Sequence, residues 1–208
     1  MQFQSKYWYP KNAPKTIQQY DRDCIADPRL ALCKFSEDRN GAVTSVIINN
    51  GVGTLNQQEL IAKIASLPKL EKFIWVTLYG CGGLSIEGLK IILESATIKD
   101  VFLMGHDRIA HQRFEICNTC LNKLLLNGCS LGEELLDSLG TFRELTTLRL
   151  VDLELCYLDP AKINKIPKLT HLILDSTIAA HFNRTKMRTG INLHVTNGPE
   201  QNDHLGCI

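Results

Sequence analysis

Apolar residues recur along this chain in one short phrase. Leu121, Leu124, Leu126, Cys129 and Leu131 spell L-x-x-L-x-L-x-x-C-x-L. The phrase returns 24 residues later at Leu145, Leu148 and Leu150, and after 24 more at Leu169, Leu172 and Leu174. Looser copies come earlier: Val43, Val46 and Ile48; Leu70, Phe73 and Trp75; Ile98, Val101 and Leu103. A degraded copy, Ile191, Leu193 and Val195, follows the last regular one. The period of two inside each phrase predicts a short strand. Between phrases the period lengthens to that of a helix. Leu60, Ile61, Ile64 and Leu67 share one helical face over residues 56–66, and Ile86, Leu89, Ile92 and Leu93 share another over 85–96. Ser85 suits the N-cap of that helix. Leu135, Leu136 and Leu139 mark a third helix over 132–139, and Asp159-Pro160 opens a fourth with proline at its first position. Pro68 and Pro167 stand at the same phase of the repeat, where each stops a helix just before a strand.

The phrase and its spacing resemble the leucine-rich repeat family over about residues 43–178, extending to 195. What that resemblance implies is an α/β solenoid, or horseshoe, with a concave parallel β-sheet, convex helices and right-handed crossovers. Units of 23–28 residues with room for real helices are similar to the intracellular, helix-backed types. The chain then divides into an N-terminal extension and helical cap (1–41), a repeat domain of about six units (42–195) and a flexible C-terminal tail (196–208). Residues 13–38 read as one or two helices, with Asp27-Pro28 as a helix start and Asn40-Gly41 as a turn into the first strand.

In each phrase the residue between the second and third fixed positions points away from the helices. Unit by unit this residue is Ile47, Ile74, Phe102, Leu125, Arg149 and Ile173, and five of the six are large and apolar. Two residues on stand Asn49, Val76, Met104, Asn127, Val151 and Asp175; two before, Ser45, Lys72, Asp100, Lys123, Thr147 and His171. An exposed apolar stripe with a mixed polar border is the make-up of a protein-binding surface. The stripe, together with Val76, Met104, Val151, Lys72, Asp100, Lys123 and His171, is therefore the expected site. Arg149, Phe102 and Met104 are its expected anchors. A competing expectation has Tyr7-Trp8-Tyr9 folding over the same face as a lid.

Composition narrows the function classes. The 208 residues carry 23 Lys and Arg against 22 Asp and Glu, so no net field draws the chain to nucleic acid or an anionic membrane. Arg184, Lys186 and Arg188 form a small basic cluster near the C-terminus. No apolar run approaches the length of a membrane span, and the N-terminus lacks the apolar core of a secretory leader. An intracellular protein is expected, cytoplasmic or alternatively mitochondrial, with its eight cysteines reduced.

Cys117-Asn-Thr-Cys120, with His106, His111 and Cys129 nearby, is the one spacing that invites a zinc or redox reading. A core role fits better, since Phe114, Cys117, Cys120 and Leu121 recur at helical spacing and Cys129 fills the fixed slot of the repeat. Asn49-Asn50-Gly51-Val52-Gly53 lacks the third glycine of a nucleotide loop. No catalytic set, cofactor or metal is expected. The family resemblance implies a non-enzymatic module that binds a protein partner through its concave sheet, as an accessory subunit or scaffold. Two narrower likenesses follow: the mitochondrial ATP synthase subunit s group, through the aromatic, helical N-terminus, and the F-box substrate receptors of ubiquitin ligases.

Overall fold

Each apolar phrase folds as one strand of a single sheet. The structure, a computed structural model, describes residues 33–49, 57–77, 84–106, 120–129, 133–153 and 157–197. Eight strands lie side by side in chain order: β1 (Cys33–Glu37), β2 (Val43–Asn49), β3 (Lys72–Val76), β4 (Asp100–Met104), β5 (Lys123–Asn127), β6 (Thr147–Val151), β7 (His171–Asp175) and β8 (Asn192–Thr196). β1 runs antiparallel to β2, and every later pair is parallel. Parallel neighbours need crossovers, and five of the six contain a described helix; most of the β4–β5 connection lies outside the described residues. The described helices are α1 (Gln57–Ala65), α2 (Ile86–Leu93), α3 (Glu133–Ser138), α4 (Pro160–Asn164) and α5 (Ser176–His181). The fold is thus α/β, with one mostly parallel sheet.

The core lies between the sheet and these helices. The second and third fixed residues of the six phrases from β2 to β7, such as Phe73 and Trp75 or Leu148 and Leu150, are buried there. So are the leading ones: Leu70, Ile98, Leu121, Leu145 and Leu169. On β8, by contrast, Leu193 is only partly buried and Val195 is 43% exposed. From α1 come Leu60, Ile61 and Ile64, and from α2 Leu89, Ile92 and Leu93, the faces their spacing predicts. Helix starts also follow the sequence. Ser85 Oγ accepts the Gly88 N–H at 3.0 Å, and Asp159 Oδ1 accepts the Ala161 N–H at 2.9 Å ahead of Pro160.

The N-terminal flank departs from expectation. Residues 33–37, read as part of a helical cap, form β1. Their side chains alternate in burial, with Cys33 and Phe35 packed against the core. Asp38 Oδ1 then accepts the N–H groups of Asn40 and Ala42 at 2.8 and 3.0 Å. Gly41, at φ +76°, completes a tight reversal into β2. Five residues are too few for a period of two to stand out within a stretch of helical character. The proposed helix start at Asp27-Pro28 lies outside the described residues.

Turns leaving the strands repeat as well. The N–H groups of Thr77, Gly105 and Gly128 donate to the carbonyls of Met104, Asn127 and Val151, each the last residue of the next strand. Gly105 must be glycine: its φ is +75°, and a Cβ there would meet the Thr77 carbonyl oxygen at 2.2 Å. No described helix is long and apolar enough to cross a membrane.

Candidate binding face on the sheet

The strand register brings the expected stripe together as one continuous row. Ile47 pairs with Ile74, Ile74 with Phe102, Phe102 with Leu125, Leu125 with Arg149, and Arg149 with Ile173. His194 on β8 extends the row by one strand. The lower border aligns equally, running Ser45, Lys72, Asp100, Lys123, Thr147, His171 across the sheet. Val76, Met104, Asn127 and Val151 form the upper border.

The burial of the row differs from the exposed stripe anticipated. Ile47, Leu125 and Ile173 are half-buried, as are Val76 and Met104. In the middle, however, Ile74 is 8% exposed, Phe102 6% and Arg149 5%, and Val151 is buried. Phe102 stands between Ile74 and Leu125, and Arg149 between Leu125 and Ile173, with neighbouring strands only about 4.8 Å away. Periodicity reports which way a side chain points, not how much of it the fold covers. Tyr7, Trp8 and Tyr9 lie outside the described residues.

Polarity on this face is concentrated in its central strands. The Arg149 Nε and Nη2 atoms are buried and make no hydrogen bond, and neither does the Oδ1 of Asn127, whose side chain is only 2% exposed. A guanidinium withdrawn from water without a counter-charge costs several kcal/mol. Asn127 faces Val151 across the β5–β6 pair, two residues beyond the Leu125–Arg149 pairing. The two polar groups are therefore diagonal neighbours on one face. The lower border carries charge in alternation, with Lys123 Nζ 3.6 Å from Asp100 Oδ2. Toward β8, His171 and His194 stack with ring centroids 6.0 Å apart.

Of the residues that invited a metal or redox reading, Cys120, Cys129 and His106 lie among the described ones. Cys120 Sγ donates to the Ile98 carbonyl at 3.2 Å, and Cys129 Sγ to that of Asn127 at 3.4 Å. His106 is fully buried: its Nδ1 accepts the Leu84 N–H at 2.9 Å, and its Nε2 lies 3.1 Å from the Trp75 carbonyl. That pattern fits the neutral ring protonated on Nε2, with both nitrogens occupied. Cys117 and His111 lie outside the described residues. Among the described residues no group of three or more His, Cys, Asp or Glu is placed to hold a metal ion.

The basic cluster also separates. Arg188 turns inward, donating to the carbonyls of Ile166, Pro167 and Leu169 at 2.9–3.1 Å, while Arg184 and Lys186 stay exposed. Sequence reasoning had passed over Asn127 as ordinary border polarity and had not placed His194 in the row. Only the register, which puts Asn127 beside Arg149, singles it out. No family model, curated protein or solved structure matches this chain.

Proposed function

We propose that the chain is a leucine-rich repeat protein, a curved solenoid. Its sheet face opposite the helices binds a protein partner, as a non-enzymatic module or accessory subunit of a larger assembly. The observation that carries this reading is the in-register row from Ile47 to Ile173, apolar at every strand except Arg149. A sheet whose only duty is to close a core on one side has no need of large apolar side chains on the other. The even, chain-order stacking of strands at repeats of 23–28 residues supports the family reading, because each unit buries its phrase against the next.

The test uses Leu125→Asp and Ile173→Asp together, since both side chains are half-buried and point away from the core. Tagged wild-type and variant proteins are used to capture partners from native extract, and both are melted in parallel. The expected result is a partner captured by the wild type and lost by the variant, with the melting temperature little changed. Equal capture by a folded variant would overturn the reading.

A further inference from the structure

We infer that Arg149 and Asn127 form a subsite for one acidic side chain, presented by an otherwise apolar segment of the partner. This rests on the binding face proposed above and names what that face selects. The two idle donors of Arg149, Nε and Nη2, lie on the same edge of the planar guanidinium, the edge that matches the two oxygens of a carboxylate. No ion pair or hydrogen bond of the described residues satisfies them. Asp175, the acidic residue of the upper border on the adjacent strand, has both oxygens engaged by the backbone N–H groups of Asp152 and Ile178. Asn127 leaves an acceptor idle one diagonal step away, suited to the backbone N–H of the residue that brings the carboxylate. Around this pair the row offers Phe102, Leu125 and Ile173, so the groups flanking the carboxylate must be apolar. An acidic residue among apolar ones complements the single arginine of the otherwise apolar row from Ile47 to Ile173. A basic or wholly apolar segment would leave the guanidinium buried and unpaired.

The experiment selects binders from a library of random 12-residue peptides displayed internally, so that no free C-terminus is offered. The selection is run on the full chain and repeated on Arg149→Gln and on Leu125→Ser, which removes apolar surface without placing a charge beside Arg149. The expected outcome is one fixed Asp or Glu flanked by apolar residues. Exchanging that residue for Asn or Gln in a synthetic peptide should weaken binding about tenfold or more, and Arg149→Gln should abolish the preference. Peptides that bind the face, as judged by loss on Leu125→Ser, but show no acidic position would overturn the subsite and leave the binding face standing. Peptides indifferent to both substitutions would overturn the face as well.

A second readout does not depend on the library. Replacing Arg149 by Met removes a buried charge that has no partner among the described residues, so the melting temperature should hold or rise. A marked fall would mean that the guanidinium already has a counter-charge within the chain, which would overturn the proposal.

Discussion

Several residues carry duties that belong to their place in the repeat. Asp152 follows β6 where Gly105 and Gly128 follow β4 and β5, and it shares their left-handed backbone, at φ +52° against +75° and +57°. Aspartate tolerates that conformation better than most residues. Its N–H is held at 2.6 Å by Asp175 Oδ2, while Asp175 Oδ1 caps α5 by accepting the Ile178 N–H at 2.8 Å. One carboxylate thus closes a turn and starts a helix. Asp175→Ala should cost about 1–3 kcal/mol in chemical denaturation, since it removes both bonds at once.

Asp38 gives a pH signature at the same scale. The Ala42 N–H first, then Lys69 and the Asn40 N–H, hold its carboxyl below the ordinary carboxylate range. A depressed carboxylate contributes stability above its unfolded pKa of about 3.9 and loses it as pH falls through the folded value. Asp38→Asn should therefore narrow the stability gap to wild type as the buffer is taken from pH 6 toward pH 3, measured by parallel denaturant titrations. Little of this was readable from the sequence. Gly-like backbone at Asp152, or Arg188 reaching three carbonyls, depends on partners some twenty residues away in the chain.

At the scale of elements, the strands were the most legible part. Fixed apolar positions every 24 residues locate β5, β6 and β7, and even the loose phrases at Val43, Leu70 and Ile98 fall into the same register. The reason is physical: a one-residue slip would turn every core residue of a strand to the wrong face. Helices were legible through their faces and caps. Ser85→Ala leaves the Gly88 N–H without its acceptor and should lower stability by about 1 kcal/mol, read from the shift in denaturation midpoint. β1 was missed because five residues offer too few alternations to compete with their surroundings. The direction of the apolar row was legible from its period of two, but its burial was not, since cover is not encoded locally.

For the whole molecule, the balance of forces rests on the core and not on charge. The strand-start ion pairs, Lys99–Glu71 at 2.6 Å and Lys168–Glu144 at 2.6 Å, join side chains about half exposed. Exposed pairs of this kind contribute about 0–1 kcal/mol each and are screened by salt. With a net charge of only +1, the chain has little self-repulsion for salt to relieve. Raising sodium chloride from low to high concentration should therefore move the melting temperature by no more than a few degrees. A larger loss would show that the charged border contributes more than its geometry suggests.

The antiparallel β1 has a consequence for how the array can change in length. It closes one edge of the sheet with reversed polarity, so a further parallel unit cannot be docked beyond it in the same way. Between β5 and β7, by contrast, Lys123, Thr147 and His171 pair across successive strands at equal intervals of 24 residues. A duplicated block of that length inserted there would keep every neighbour in step and widen the sheet by one strand. Among the described residues the sheet is thus extensible from within and closed at β1, and a lengthened version would add one strand to the row without moving the original ones out of register.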